Sequence, residues 1–293
     1  MKVLNFGSLN YDIVYQVEHV VMPGETIASK SMKTFCGGKG LNQSVALAKA
    51  GANVFHAGMV GQDGDMLLQT LEENDVNIGF VEKIEGKSGH AIIQLDKQAQ
   101  NCILLYGGAN RLITKEYVDK IIRTFEKGDI LLLQNEINEL DYIIDRAYEQ
   151  GMCIVLNPSP FDEALNTCDL NKVSIFVLNE IEGAQISGKI KPEDILNEIH
   201  IKYPESKVVL TLGKDGAVYS DDNEIVKQPI FPTKAVDTTA AGDTFTGYFI
   251  AGLMEEKNIA EIMKQAAMAS SIAVSRMGAA PSIPYKGEVY AKL

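Results

Sequence analysis

Short apolar runs alternate with helical patterns through the middle of the chain, and this alternation constrains the fold more than any other feature. The runs ILLL at 130–133, CIVL at 153–156 and VVLTL at 208–212 are largely continuous, and helices are predicted between them at 140–150 and 192–203. Continuous apolar strands separated by helices favour a parallel sheet that is covered on both faces. The predicted fold class is α/β, with a mostly parallel sheet between two layers of helices.

Two extended segments do not fit this alternation. One covers about 13–36, and the other, about 89–108, contains a predicted hairpin in which 90–96 and 101–106 flank the polar DKQAQ. We interpret both as one small accessory sheet, whose strands are distant in sequence and close in space. The sequence contains no repeat, low-complexity tract or interdomain linker, so we expect residues 1–293 to form a single domain that includes this sheet.

Composition argues against several classes of partner. The chain has 293 residues, 46% of them hydrophobic, and a formal charge of −12 without any Lys/Arg-rich run, so we expect no nucleic-acid partner. The start, MKVLNFGSLNYD, turns polar early and no apolar run has the length of a membrane span, so we expect no membrane partner. Four cysteines without a CxxC pair argue against zinc and for a reducing cytoplasm, with Cys102 and Cys153 as small core residues.

Polar residues recur where the predicted strands end. GSLNYD follows the first strand at 7–12, QNE stands at 134–136, NEIE at 179–182 and LGKDG at 212–216. Each is also typical of an ordinary turn or helix cap, and Asn179 in particular has the pattern of a cap. Because ligands of open α/β sheets bind beyond the carboxyl ends of the strands, the recurrence favours a binding site there.

The stretch DTTAAGDTFTGY at 237–248 places two Ala and a Gly directly before Asp243, where a helix begins. Small residues let backbone N–H groups approach a ligand, and a helix N-terminus favours negative charge, so the stretch is typical of an anion site beside a carboxylate. The alternative is a tight loop-to-helix junction with Asp243 as a first-turn acid. The GGKG at 37–40 is not a P-loop, because Lys39 is followed by Gly rather than Ser or Thr.

Three motifs in order, GGKGLNQS, NEIE and DTTAAGDTFTGY, resemble the signatures of the ribokinase family, the PfkB-type carbohydrate kinases. The resemblance extends from GSLNYD near the start to GAAPSIP near the end. It implies a ribokinase-like three-layer core with a small β lid, which would account for the two extended segments. It also implies ATP-dependent phosphorylation of a primary alcohol on a sugar or nucleoside, and a homodimer formed through the lid.

The same resemblance implies roles for individual residues. Asp243 would be the general base, and the backbone N–H groups of Ala240, Ala241, Gly242 and Asp243 would form the anion hole for the transferred phosphoryl group. The sugar would be bound by Asn10, Asp12, Gly38, Lys39, Asn42, Glu136 and Asp243. The nucleotide would be bound by Asn179, Glu182, Thr211, Gly213, Lys214, Gly216 and Gly242.

Two metal ions are implied in addition. Glu182 would act on Mg²⁺ from the outer sphere, while Mg²⁺ itself is held mostly by water and nucleotide oxygens. A monovalent cation, K⁺, would be held by Asp237, Thr239, Ala273, Arg276, Gly278 and Ser282, with Arg276 serving through its carbonyl. The segment 278–282 has the alternative interpretation of an ordinary helix stop. One departure from the family is Ala267, where ribokinases often place a His beside the adenine.

The sugar set suits a small polyol, because its carboxylates accept hydrogen bonds from vicinal hydroxyls and its amides both donate and accept. It offers no aromatic or apolar surface for a base, so ribose, phosphorylated at its 5-hydroxyl, is the predicted substrate. Alternatives are a kinase of the same fold for deoxyribose, fructose, another sugar or a nucleoside, and a sugar-binding regulator without catalysis. The presence of Gly242, Asp243 and Glu182 together favours an enzyme.

Overall fold

The computed structural model describes residues 1–98 and 100–293, so Ala99, within the predicted hairpin segment DKQAQ, lies outside the described residues. The strands are, in chain order, β1 (Val3–Phe6), β2 (Asn10–Gln16), β3 (Ser31–Gly37), β4 (Val54–Val60), β5 (Asn77–Lys83), β6 (Gly89–Leu95), β7 (Asn101–Tyr106), β8 (Ile130–Gln134), β9 (Cys153–Asn157), β10 (Ile175–Asn179), β11 (Lys207–Thr211), β12 (Ala217–Ser220) and β13 (Ile225–Gln228). The helices are α1 (Lys39–Lys49), α2 (Asp65–Glu72), α3 (Lys115–Ile122), α4 (Leu140–Gln150), α5 (Glu180–Ser187), α6 (Pro192–Lys202), α7 (Ala241–Met254), α8 (Ile259–Val274) and α9 (Lys286–Tyr290).

The large sheet has the strand order β13-β12-β11-β10-β9-β8-β1-β4-β5. Every neighbouring pair from β11 to β5 is parallel, and among the described residues of this sheet only the pairs β11–β12 and β12–β13 are antiparallel. The prediction of a mostly parallel sheet is confirmed.

Helices cover both faces of this sheet. Successive strand residues point to opposite faces, so Leu131 and Leu133 pack in one apolar core and Leu132 packs in the other. Helices α1, α2, α7 and α8 contribute to the core around Leu132, and α3, α4, α5 and α6 to the core around Leu131. The three-layer α/β/α core is therefore confirmed. Among the described residues, no helix has the length and apolar character that crossing a membrane requires.

The second sheet is formed by the two extended segments and has the order β3-β2-β6-β7. Its central pair, β2 and β6, is parallel, and the outer pairs are antiparallel. We refer to this four-stranded sheet as the lid. Strand β2 begins at Asn10, three residues earlier than the apolar pattern predicts. The reason is that Asn10 is already paired with Gly37 of β3 and Gly89 of β6.

Two details of the lid differ from the predictions. The segment 26–30 precedes the strand β3 instead of belonging to it. The prediction that Cys102 is a core residue is wrong, because β7 is an edge strand of the lid with all of its side chains exposed. Cys153, by contrast, is partly buried and packs against the core around Leu132.

Close packing of α1 against α7 positions the residues at the start of both helices. A Cβ added at Gly247 of α7 would lie 2.4 Å from Ala46 Cβ and 2.8 Å from Leu47 N, so only glycine fits there. The two helix axes can therefore approach closely. As a result, the first turns of α1 and α7 lie side by side at the edge of the sheet where its parallel strands end.

Candidate active site

The site lies at the carboxyl end of β1, between its neighbours β8 and β4. In the strand order, β4 lies next to β1 on one side and β8 lies next to it on the other, so the direction in which strands are added reverses at β1. Such a topological switch point is where α/β proteins bind ligands. The start of α1 packs directly on the loop after β1, since Leu41 N donates to Ser8 O at 3.0 Å. Glu136, after β8, accepts hydrogen bonds from the Ser8 hydroxyl and from Lys39 N, the latter at 3.0 Å.

The N-terminus of α7 faces this crevice. Ala240 adopts a left-handed conformation with φ of 60°, which turns the chain sharply into the helix. The N–H groups of Gly242 and Asp243 belong to the first turn, where a helix offers them no acceptor of its own. A Cβ added at Gly242 would meet no protein atom within 4 Å, so the packing of the protein does not explain this glycine. Space beside these N–H groups suits an anionic ligand.

Asp243, in the same turn, is held by the first turn of α1. Its side chain is buried, with 7% of the residue exposed. Asn42 Nδ2 donates to Asp243 Oδ2 at 3.2 Å, and Gln43 Nε2 donates to Asp243 Oδ1 at 2.9 Å. Each carboxylate oxygen therefore has one fixed amide donor, and the remaining lone pairs can face a ligand.

The lid supplies Asn10 and Asp12. Asn110 Nδ2 donates to Asn10 Oδ1 at 2.7 Å, so the Asn10 amide is oriented with its N–H₂ group left to donate to a ligand. Burial, with a smaller contribution from the nearby Glu136 carboxylate, raises the pKa of Asp12 to about 6. A Cβ added at Gly37 would lie 2.2 Å from Asp12 Oδ2, so this glycine makes room for the carboxylate.

Lys39 lies between the carboxylates of the site. Burial opposes its charge, but Asp243, Glu136 and Glu182 outweigh burial and raise the pKa of the Lys39 ammonium. The side chain therefore stays protonated and can donate to an anionic or hydroxyl ligand. The structure thus brings the predicted sugar-binding residues together around the start of α1: Asn10, Asp12, Gly38, Lys39, Asn42, Glu136 and Asp243.

The predicted nucleotide residues lie at the ends of β10 and β11, which are neighbours in the sheet. Asn179 is paired in register with Thr211 and is the N-cap of α5. Its Oδ1 accepts from Glu182 N at 2.9 Å, and Glu182 Oε2 accepts from Asn179 N at 3.0 Å, a reciprocal capping box. The interpretation of Asn179 as a helix cap is therefore confirmed, and its exposed side chain still borders the site.

The turn after β11 holds the remaining nucleotide candidates. Gly213 and Gly216 have positive φ angles of 52° and 96°. A Cβ added at Gly216 would lie 2.1 Å from Gln228 O, so the packing against β13 requires this glycine whatever the turn binds. Lys214 is exposed, and Ala267 is buried in α8.

Asp237 joins the two segments that carry the predicted cation-binding residues. Its Oδ1 accepts from Thr239 N at 2.9 Å and from Thr239 Oγ1 at 2.6 Å, and its Oδ2 accepts from Gly278 N at 3.0 Å. Burial would raise the pKa of Asp237, but these hydrogen bonds outweigh it and lower the pKa. The Arg276 guanidinium pairs with Glu288, which leaves only its carbonyl for an ion.

The other members of the cation set lie near these residues in the chain. Ala273 is in the last turn of α8, and Ser282 is fully buried with its hydroxyl donating to Ala279 O at 2.7 Å. Within residues 1–98 and 100–293, no group of three His, Cys, Asp or Glu side chains could hold a metal ion.

Several buried or half-buried amides of the site were not assigned a role from the sequence. They are Asn5, Gln43, Asn110, Gln134 and Asn157. A signal was present, because each amide stands within or beside an apolar strand or helix, where an unpaired polar group is costly. The sequence could not show which partners they meet.

Together these features define a class of protein. The site combines a helix N-terminus suited to an anion with a buried aspartate beside it. Next to them, under the β lid, lies a set of amides, carboxylates and a lysine that suits a polyol. These are the parts of a carbohydrate kinase. The enzyme transfers a phosphoryl group to a sugar hydroxyl, a reaction that depends on positioning and charge stabilisation.

Comparison with known proteins identifies the family. Residues 1–286 match the model of the pfkB family of carbohydrate kinases, and the chain belongs to this family. The ribokinase of Bacillus subtilis (strain 168) is 35% identical over 97% of this chain and 96% of its own length. The deoxyribokinase of Salmonella typhi is 30% identical over 97% of this chain and 96% of its own length.

A solved structure of Arabidopsis thaliana ribokinase, complexed with ribose and ATP, is similar with a TM-score of 0.89 and 29% identity. The similarity covers 99% of this chain and 97% of that one. The predicted ribokinase-like fold and the predicted class of carbohydrate kinase are confirmed.

Proposed function

We propose that this enzyme uses ATP to phosphorylate the primary 5-hydroxyl of ribose, giving ribose 5-phosphate and ADP. The observation that carries the proposal is the buried Asp243, fixed by two amides of α1 at the N-terminus of α7 and adjoining the polyol-suited residues of the lid. Relatives called ribokinases, similar over nearly their whole length, support the same substrate.

In the proposed reaction Asp243 accepts the proton of the attacking hydroxyl. The N–H groups in the first turn of α7 stabilise the charge on the phosphoryl group in transit, together with the Lys39 ammonium. ATP would lie across the ends of β10 and β11, and Glu182, buried there at 5% exposure, would orient the water shell of Mg²⁺. When bound, ATP would supply the phosphoryl group and Mg²⁺ would neutralise part of its charge.

The sugar pocket offers complementary groups for vicinal hydroxyls. Asn10 is oriented to donate, Asp12 and Glu136 can accept, and Lys39 donates. Among the described residues, Asn42 Oδ1 is a buried acceptor that no protein donor reaches, while its Nδ2 already serves Asp243. A sugar hydroxyl beside Asp243 would supply the missing donor.

The substrate is tested by ADP release with ribose, 2-deoxyribose, fructose and adenosine at equal concentration. We expect ribose to be the best substrate, and 2-deoxyribose to be disfavoured because it leaves a buried acceptor unpaired. The deoxyribokinase among the relatives makes 2-deoxyribose the main competitor. Good turnover of 2-deoxyribose, fructose or adenosine without ribose would refute the substrate assignment and leave the kinase class standing.

We further propose that K⁺ activates the enzyme. Asp237 ties the loop before α7 to Gly278, so an ion held by carbonyls of these two segments would order the loop that presents the anion hole. We expect faster turnover in K⁺ than in Na⁺ or in a buffer without either ion, measured at constant ionic strength. Equal rates in all three buffers would contradict an activating site.

A homodimer through the lid is the third proposal. β7 lies at an edge of the lid and exposes apolar side chains on both faces, Ile103 and Leu105 on one and Leu104 on the other, and exposed apolar side chains on an edge strand are typical of an interface. We propose that a second copy of the chain covers these side chains. Within each subunit, we propose that residues 1–293 form a single domain.

Sedimentation of the purified protein tests the dimer. We expect Ile103→Glu to convert a dimer to a monomer, because a charge cannot be buried unpaired in an apolar interface. Ile190→Glu is the matched control, since Ile190 is 88% exposed but lies between α5 and α6, away from the lid. A monomeric wild type, or a dimeric Ile103→Glu variant, would contradict the proposal.

We propose a cytoplasmic location because the cysteine thiols are free. All four cysteines lie among the described residues and are free, and Cys102 is exposed on the lid. Free thiols of this kind persist in a reducing compartment.

A further inference from the structure

We propose that Gln43 is a positioning residue for the base: it fixes the Asp243 carboxylate through a buried chain of hydrogen bonds, without itself contacting the sugar. The inference rests on the proposed function, since it takes Asp243 to be the base. Asn42 also holds the carboxylate, but Asn42 belongs to the sugar-binding set, whereas Gln43 points away from the sugar toward the end of β9.

The Gln43 amide has no freedom to turn. Its residue is fully buried, and its Nε2 donates both to Asp243 Oδ1 at 2.9 Å and to Asn157 Oδ1 at 3.0 Å. Its Oε1 accepts from Gln134 Nε2 at 2.7 Å. If the amide rotated by half a turn, an oxygen would face two acceptor oxygens and an N–H₂ group would face a donor, so every contact would be lost.

The orientation of Gln134 is fixed in turn by residues further inside. Gln134 Nε2 also donates to Asn5 Oδ1 at 2.9 Å, and Asn5 Nδ2 donates to Ser44 Oγ and to Gly40 O, both at 2.8 Å. Ser44 Oγ, which accepts from Asn5, also shares a hydrogen bond with His56 Nδ1 at 2.8 Å.

A backbone carbonyl fixes these orientations. Gly40 O can only accept, so the Asn5 amide must present Nδ2 to it and Oδ1 to Gln134 Nε2. Gln134 Nε2 is then the donor to Asn5 Oδ1 and to Gln43 Oε1, which leaves Gln43 Nε2 to donate to Asp243. The fully buried His56 adds no charge to this network at neutral pH, because burial lowers the pKa of His56 to about 4.

The consequence is a carboxylate in which each oxygen is held by its own amide donor from α1. A base must lie within hydrogen-bond reach of the hydroxyl it deprotonates, and a displacement of about 1 Å costs about 100-fold in rate. Asn157 extends the same framework, because its Nδ2 donates to Val177 O at 2.9 Å and approaches Glu182 Oε2 at 3.5 Å. Gln43 thus fixes the base relative to the proposed Mg²⁺-orienting residue.

The first test is Gln43→Met, which keeps the length of the side chain and removes all three hydrogen bonds. We expect kcat to fall by about 10- to 100-fold while KM for sugar and for ATP stays within about threefold, because sugar and nucleotide contacts are intact. Unchanged kcat, or a raised KM with unchanged kcat, would overturn the inference.

The second test is Gln43→Glu, which remains informative even if the Met variant does not fold. Beside Asp243 the new carboxyl is expected to take up a proton more readily than an ordinary Glu, and its neutral O–H can then replace the lost N–H donor. The ratio of its kcat to that of wild type should rise between about pH 9 and about pH 6. A ratio that is independent of pH would overturn the inference.

Two further variants separate this inference from its premises. Ser206→Ala removes a buried hydrogen bond to Val173 O, at the edge of the sheet where the parallel strands begin and opposite the site. It should lower Tm while leaving kcat unchanged, which shows that loss of a buried polar contact alone does not slow turnover. If Asp243→Asn retains normal turnover, the proposed function itself fails. If Asp243→Asn is inactive and Gln43→Met turns over normally, only the positioning role of Gln43 fails.

Discussion

Replacement of Asp243 by Asn is expected to lower kcat by about 100- to 10,000-fold, the range that a positioned general base contributes. The amide has the shape of the carboxylate, but its single oxygen can accept from only one of Asn42 and Gln43, and it cannot accept the proton of the sugar hydroxyl. Nucleotide affinity should change little, because the proposed nucleotide contacts are at the ends of β10 and β11. Single-turnover kinetics and ADP titration measure the two quantities separately.

A matched control distinguishes a base from an ordinary first-turn acid. Asp141 stands in the first turn of α4 and is exposed, so Asp141→Asn removes the same interaction with a helix N-terminus without touching the site. If both variants lose the same small amount of stability and both keep normal turnover, Asp243 is only a first-turn acid and takes no part in the reaction.

Elements with a local signal were predicted from the sequence almost to the residue. The helix α4 has the predicted bounds, since its apolar positions recur at helical spacing and Gly151, with φ of 76°, ends it. Thr114, of a residue type that favours this position, is the N-cap of α3 and accepts from Tyr117 N at 3.2 Å. In both cases the residues that decide the boundary are neighbours in the chain.

The strand β5 and the helices α5 and α9 were missed, each for a different reason. β5 contains Gly79 and few strongly apolar residues, and it forms a strand because it pairs with β4 at the edge of the sheet. α5 was not predicted because NEIE looked like a strand-end loop, although its Asn and Glu close a capping box. The short α9 also escaped prediction, since five residues give too little periodicity to recognise.

The same division holds for the candidate site. Asp243 and the small residues before it form a motif that is contiguous in sequence, so their proximity to a helix N-terminus could be predicted. The contact of Gln43 with Asp243 joins residues 200 positions apart and depends on how closely α1 packs against α7 at Gly247. No local pattern encodes that distance, and the role of Gln43 could be inferred only from the structure.

Gly242→Ala is expected to lower kcat by about 100-fold or more while leaving the protein at least as stable as wild type. A Cβ at Gly242 meets no protein atom within 4 Å, and Ala is favoured over Gly inside a helix by about 1 kcal/mol, so Tm should hold or rise. The methyl group would project beside the first-turn N–H groups, where the phosphoryl group is proposed to lie, and would hinder its approach. Loss of one such stabilising contact typically costs about 100- to 1,000-fold.

Gly287→Ala provides the matched comparison, since Gly287 is also the second residue of its helix, α9, and an added Cβ there also meets no atom within 4 Å. We expect it to raise Tm in the same way and to leave kcat unchanged. Thermal unfolding and steady-state turnover of the two variants therefore separate helix propensity from crowding of the anion site. If Gly242→Ala turns over as fast as Gly287→Ala, the phosphoryl group does not lie against the first turn of α7.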